Sequence, residues 1–443
     1  MTAPYRTHAF DVGIAPLHIV IIGGGIGGLC LAQGLRTAGV SVAVYERDRT
    51  ITDRLQGYRV HINPAGSRAL HACLPPHLFD AFDRTCGKAA HAMHFLTEQM
   101  EVLLSVRGDM VEQRDPIARH RSVSRITLRQ VLLSGLDDVV HFGKTLTRYE
   151  TRADGRVVAH FEDGTRAEGD ILVAADGGGS RVRRQLLPQA ERIDTGVVGI
   201  AGKVFLDAAN RRRIAPTLLD GMALIAAKGG LGLFVALQEL SRETAAGIGG
   251  NDASLADAPL FDNTRSYLMW ALSGRRDTLG LDGERPDGAA LAVAAARAMA
   301  HWAPGLRDLV ALSDASTLSC LPIRTSRPVE PWPTGRITLI GDAIHAMTPY
   351  RGIGANVALK DAVGLRDALV AGQRGEKPLF DAINGYETAM RDYGFKAVRN
   401  SLKAMQEVTG RGPLALALSR GVFRAIDRLP PVKRMMARGM GEE

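Results

Sequence analysis

Apolar and polar residues follow two different periods along this chain, and the places where the period changes outline its architecture. Leu17 to Ile22 is apolar at nearly every position, as a strand covered on both faces of a parallel sheet must be. Ala32 and Leu35 then recur at helical spacing, Gly39 ends that helix, and Val42-x-Val44-x-Glu46 reads as a second strand. The strand–turn–helix pattern returns twice. Ile171 to Ala175 precedes a helix carrying Arg183 and Leu186, with Ser180 as its N-cap. Ile337 to Ile340 precedes an amphipathic helix through Ala358, Val363, Leu365 and Leu369. Between about Glu191 and Ser319 the pattern changes. Thr195–Leu206, Gly221–Gln238 and Arg265–Gly274 read as strands with hairpin-type breaks. From Leu379 onward the chain reads as helix.

Composition narrows the function classes. At 443 residues, two or three packed units are expected, and 46% hydrophobic residues exclude a disordered chain. The net charge of +8 comes from scattered Lys and Arg with no basic arm, so no nucleic-acid partner is expected. Cys30, Cys73, Cys86 and Cys320 form no CxxC pair and no zinc spacing, and this usage suits a reducing cytoplasm. Met1 to Pro16 has no apolar core of signal-peptide length, and no stretch is long enough to span a bilayer. The expectation is a cytoplasmic monomer or homodimer without stable membrane insertion.

The chemistry lies in the turns. Gly23, Gly25 and Gly28 form G-x-G-x-x-G between the first strand and helix. Gly23 permits the tight turn, Gly25 lets a pyrophosphate approach the backbone, and Gly28 lets helix pack on strand. The helix N-terminus offers unpaired N–H groups and the positive end of its dipole to the phosphates. Glu46, at the end of the second strand, can accept hydrogen bonds from an adenosine ribose. In register over some thirty residues, these features specify a dinucleotide, either NAD(P) or FAD. Asp176-Gly177 turns the second unit. Gly341-Asp342 turns the third, where His345 and Pro349 precede Gly352, Gly354 and Asn356 at the helix entry. That entry lacks G-x-G-x-x-G, so it is not a second phosphate site of the first kind. Its helix N-terminus suits negative charge on a reduced flavin ring, and Asp342 suits a polyol such as the ribityl chain.

These three motifs, in this order and spacing, resemble those of the class A flavoprotein monooxygenases, the family of aromatic hydroxylases. The resemblance brackets nearly the whole chain. It implies an α/β fold with a Rossmann-type FAD-binding domain, an inserted mixed β-sheet substrate domain and C-terminal helices. The corresponding division is 1–190 and 320–378 for the FAD-binding parts, 191–319 for the substrate sheet and 379–443 for the helices. It also implies that Gly23, Gly25, Gly28, Glu46 and Arg47 hold the ADP half of FAD. Asp342 would contact the pyrophosphate and ribityl region, with Gly352, Gly354 and Asn356 at the ring. Family members carry an arginine before a helix in the middle of the flavin domain. In SRITLRQVLL (Ser124 to Leu133) this makes Arg125 the FAD-contacting candidate, with Arg129 as second choice. Asp176 and Arg183 would serve both FAD and the nicotinamide nucleotide. The segment Gln56 to Leu70 resembles the loop that reaches back to the flavin. Within it Arg59 is a candidate contact, and His61 reads equally as structural or proton-carrying. Arg351 stands where the family usually has a small residue, and it and Pro349 are candidates beside the flavin.

The implied reaction uses NAD(P)H, with NADPH favoured, as a transient hydride donor. Molecular oxygen then adds to reduced flavin as a C4a-hydroperoxide, which oxygenates a small organic substrate. A flavin-dependent halogenase would need a Trp-x-Trp-x-Ile-Pro box, which Trp270, Trp302 and Trp332 do not form. Baeyer–Villiger or drug-inactivating chemistry on the same scaffold stays open, as does a flavin-binding protein without turnover. Phe234 and Trp270 lie on strands where they can line a substrate pocket. Arg outnumbers Lys and Ala is abundant, which points to a GC-rich bacterial genome and, with it, to the expectation of a polycyclic aromatic or polyketide-like natural product as substrate.

Overall fold

The computed structural model describes residues 16–50, 58–88, 90–107, 115–241, 244, 264–281 and 286–442, with side chains to 436. The leader read between Met1 and Pro16 lies almost wholly outside these residues, as do Gln56 and Gly57 of the flavin-reaching loop. A five-stranded, all-parallel sheet forms the first layer, in the order Ile337–Leu339, Ile171–Ala174, His18–Ile22, Ser41–Tyr45, Val140–His141. Its central strand is apolar from Ile19 to Ile22 because it is covered on both faces, and Ile19 and Ile21 are fully buried. The helices Ile26–Thr37 and Gly354–Gln373 pack against each other so closely that a Cβ on Gly27 would lie 3.2 Å from Ala358.

The second layer is a seven-stranded sheet in the order Ser319–Ser326, Arg192–Phe205, Tyr267–Arg275, Leu231–Gln238, Gly221–Ala227, Ala92–Leu96, Val102–Arg107. The three segments that read as strands between Glu191 and Ser319 supply its four central strands, because 221–238 folds as a hairpin of two. The sheet is wider than that segment, because the hairpin 92–107 extends one edge through a parallel pairing of Gly221–Ala227 with Ala92–Leu96. Alternate residues face opposite ways. Val198, Ile200, Val204, Leu268, Trp270, Leu272, Leu233 and Val235 pack into a second core under the helices Gly288–Ala298 and Pro304–Ala311. The other face turns toward the parallel sheet. The long helix Leu379–Thr409 joins the layers: its Leu402 and Met405 meet Val197, Ile323 and Tyr350.

Candidate active site

The three turns, far apart in sequence, meet because the strands that carry them are parallel neighbours. All end at the carboxyl edge of one sheet, where α/β proteins bind ligands. At the first turn Gly23 has φ +112, and a Cβ there would lie 2.3 Å from the carbonyl oxygen of Ala175. A Cβ on Gly28 would lie 2.2 Å from the carbonyl oxygen of Gly23. Gly25 differs: a Cβ there would meet nothing within 4 Å. It opens the helix Ile26–Thr37 with no side-chain cap, which leaves its first N–H groups facing that open space.

Glu46 ends the neighbouring strand. Its Oε2 accepts from the Gly24 N–H at 2.6 Å, and its Oε1 accepts from the Asp48 N–H at 2.9 Å. Each oxygen keeps a further lone pair. Arg129 is buried behind this turn, donating from Nε to the Gly24 carbonyl at 3.0 Å, with Nη2 3.8 Å from both Glu46 and Asp48. Arg125 starts the same helix, Arg125–Leu133, but is exposed, with no ion pair or side-chain hydrogen bond among the described residues. The arginine holding the turn in shape is therefore Arg129, and Arg125 is the one presented outward. Arg47 is likewise exposed.

The second and third turns are tied together. Ser180 caps its helix by accepting from the Arg183 N–H at 2.9 Å. The Arg183 guanidinium donates from Nη1 to the carbonyls of Gly178 at 3.2 Å and Ala343 at 2.8 Å. Asp176 Oδ2 accepts from the Arg181 N–H at 2.8 Å, while its buried Oδ1 has no hydrogen-bond partner among the described residues. Burial pushes the Asp176 carboxyl up. Asp342 is exposed at the mouth. Beside it stands Arg192, a residue with no sequence signal, whose guanidinium burial pulls down and whose Nε also lacks a partner.

Behind Asp342, Asp361 is fully buried. It accepts from the Gly341 N–H at 2.7 Å and the Tyr393 hydroxyl at 2.6 Å, and lies 2.6 Å from His345 Nε2. Burial depresses the His345 imidazole, but the Asp361 charge and hydrogen bond more than offset that and leave it raised. The helix Gly354–Gln373 begins after Pro349–Arg351 and left-handed Gly352, again without a side-chain cap. Pro349 is exposed and Arg351 half-buried. Asn356, named among the residues at this helix entry, spends its side chain on the protein, accepting from the Asn63 N–H and donating to the His61 carbonyl, each at 2.9 Å. It pins the segment 59–63 to the glycine-rich turn.

The sheet face opposite these turns is apolar at its middle. Ala201, Ala271, Phe234 and Leu224 form one lateral row, and Met269, Ala236 and Met222 continue the next. Lys203 begins that second row. It is fully buried, with Nζ 4.7 Å from the Tyr267 ring centre and 5.7 Å from that of Tyr58. Arg59 lies at the same end, donating from Nε to Ser122 Oγ at 2.6 Å, and burial lowers its guanidinium to about 10. The Ser122 hydroxyl in turn bonds Gln238. Phe234 thus faces the turns. Trp270 does not: the pleat aims it into the opposite core, where Nε1 donates to Ser313 Oγ at 2.8 Å. It is removed from the pocket.

Two family models match the chain: an FAD binding domain over residues 286–401 and an NAD(P)-binding Rossmann-like domain over 21–98. The FAD-dependent urate hydroxylase of Klebsiella oxytoca is 31% identical, across 79% of this chain and 80% of its own. The chain belongs to the FAD-dependent monooxygenases. The solved Klebsiella pneumoniae HpxO, complexed with FAD and uric acid, superposes with a TM-score of 0.75 at 25% identity, covering 96% of each chain. The dual O-methyltransferase/FAD-dependent monooxygenase elcB of Phaeosphaeria nodorum is 31% identical over 92% of this chain and 45% of its own. The chain therefore spans about half the length of the first curated relatives it matches.

As in other members of these monooxygenases, FAD is the cofactor, and the residues present fit it. Two uncapped helix ends, the open space before Gly25, the unpartnered Asp176 oxygen and the outward Asp342 and Arg125 are what a pyrophosphate-bridged dinucleotide needs. Among the described residues no metal-binding cluster is present, and no helix is long and apolar enough to cross a membrane.

Proposed function

We propose that this chain is an FAD-dependent monooxygenase acting on a flat, largely apolar aromatic or polyketide-like molecule, with NADPH as transient reductant. The observation that carries the substrate reading is the half-buried floor of Ala271, Phe234, Leu224, Met269 and Met222. Strands lie about 4.8 Å apart, so a floor three strands wide suits fused rings. The relatives named as dual O-methyltransferase/monooxygenases agree, since methyl transfer to oxygen needs the kind of hydroxyl that hydroxylation installs.

Each group has a task in this reading. The Gly23–Gly28 turn and Glu46 hold the ADP half, Arg129 keeps that turn in shape, and Arg125 and Asp342 meet the cofactor beyond it. Asp176 and Arg183 hold the middle of the cofactor and receive the nicotinamide nucleotide. Bound FAD supplies the redox chemistry: NADPH, a proton, oxygen and substrate become NADP, water and hydroxylated product. The protein's share is to orient the ring system on the floor, exclude water from it and carry charge at one end. Lys203 and Arg59 give that end its positive potential, which favours a substrate oxygen bearing negative charge.

The test has two steps. NADPH added without oxygen to FAD-saturated protein should bleach the flavin spectrum. A panel of phenols, anthraquinones and indoles should then be screened for accelerated NADPH oxidation with product formed. Bleaching without acceleration by any polycyclic member overturns the substrate class. A flavin that binds and is never bleached points to a binder without turnover.

A further inference from the structure

The helix Pro413–Asp427 is held on one side and bare on the other. Phe423 and Ile426 pack on Leu104 and Val106 of the edge strand. Arg420 pairs with Glu98 and Arg424 with Glu101, while Asp427 accepts from the Ser105 N–H at 3.1 Å. On the outer side Leu414, Leu418 and Val422 recur every four residues, with Ala417, Gly421 and Ala425 between them. These three large side chains are 82%, 72% and 56% exposed, and Leu429 and Met435 are exposed on the segment that follows.

The charges around this stripe are unbalanced. The inner-face arginines all have carboxylate partners. Arg428, about four turns beyond Leu414 and so on the bare side, has no ion pair among the described residues. The same holds for exposed Arg434 and for Lys228, whose turn abuts Thr409 just before the helix. An apolar stripe with an unmatched cation at its end and two more on neighbouring elements complements a surface that is apolar beneath and anionic above.

We propose that this face docks the protein on a membrane surface containing anionic lipid. The stripe would lie in the plane of the interface, with Leu414, Leu418 and Val422 at the acyl boundary. Arg428, Arg434 and Lys228 would meet phosphates, their stems lying along apolar surface. A second copy of the chain fits less well. A stable protein interface uses roughly 20–30 residues a side. Antiparallel pairing about Gly421 would also set the Arg428 guanidinium of one copy against the apolar Leu414 of the other.

The experiment is co-sedimentation of the FAD-loaded full chain with vesicles of phosphatidylcholine alone or mixed with phosphatidylglycerol. Binding is expected only to the mixed vesicles, weakening as salt is raised. Leu418→Glu should cut the bound fraction about tenfold, and Arg428→Ala with Arg434→Ala should lower it several-fold. All these variants should keep flavin content and melting temperature, because the changed side chains are exposed. No binding to mixed vesicles, or equal binding to both kinds, overturns the proposal. So does light scattering that shows a dimer which Leu418→Glu converts to monomer, since a second copy would then own the stripe.

Discussion

The two walls of the active site are built on different terms. The wall at the edge of the parallel sheet is made of backbone: glycine turns, helix ends and carbonyls, with Glu46, Arg129 and Arg183 binding turns to each other. The wall on the seven-stranded sheet is made of side chains, and the pleat alone decides which of them count. The first wall tolerates little change and asks for one cofactor. The second can be resurfaced without touching the fold, which lets one scaffold serve many substrates.

Substitutions at the two walls should separate these terms. The largest effect is expected at the first turn. Gly28→Val would drive a Cβ against the Gly23 carbonyl and should cost at least about 3 kcal/mol or prevent folding, read by thermal melting. Gly25→Val meets open space instead, so it should melt near the wild-type temperature yet bind FAD at least about tenfold more weakly. If both variants keep FAD, the cradle is misplaced.

On the second wall, Trp270→Ala should cost roughly 3–5 kcal/mol of stability, as loss of a fully buried ring does, while leaving the substrate KM nearly unchanged. Phe234→Ala should do the reverse, raising KM about tenfold at a cost below about 2 kcal/mol. A large KM change from Trp270→Phe, which keeps most of the volume, would show that the face has been read the wrong way round.

Arg125 and Arg129 sharpen the contrast within one helix. Arg129→Ala should lower both stability and FAD affinity, since it unpins the Gly24 carbonyl and takes a cation from beside the buried Glu46 carboxylate. Arg125→Ala should weaken FAD by a few-fold and leave the melting temperature of the FAD-free protein alone, measured by flavin titration.

A further effect concerns acid. Burial, then Arg59 and His120, hold the His61 imidazole down to about 3. The unfolded chain takes up that proton near pH 6.5 and the folded chain does not. Stability from this residue is therefore complete above about 6.5 and lost as pH falls toward 3. The slope is at most about 1.4 kcal/mol per pH unit. Urea midpoints at pH 7 and pH 5 should converge in His61→Gln; an unchanged pH dependence would assign the acid sensitivity elsewhere.

Legibility in the sequence follows the same division. The turns can be read because a glycine's reason is local: Gly23 and Gly28 are needed wherever strand enters helix this tightly. The Ser180 cap and the start of the last long helix at Leu379 are equally local. Phe234 and Trp270 read alike because each sits in an apolar strand, and nothing near them says which face meets the cofactor. The side-chain partners of Asn356, Asn63 and His61, cannot be read from its neighbours because they are distant in the chain. Lys203 could have been noticed as a lone cation inside the apolar run from Thr195 to Leu206. Arg192 offered no signal, for it matters only through the turns that fold against it.

The strand order 337–171–18 also bears on how the protein is made. Gly23 and Gly341 are more than three hundred residues apart, yet they flank the same cradle. Synthesis runs from the N-terminus, so the first turn leaves the ribosome long before the third exists. A nascent chain therefore has no complete seat for flavin until the helix after Gly354 has emerged. Cofactor loading must wait for that helix, and a ribosome stalled in the middle sheet would hold a chain that cannot be rescued by adding flavin.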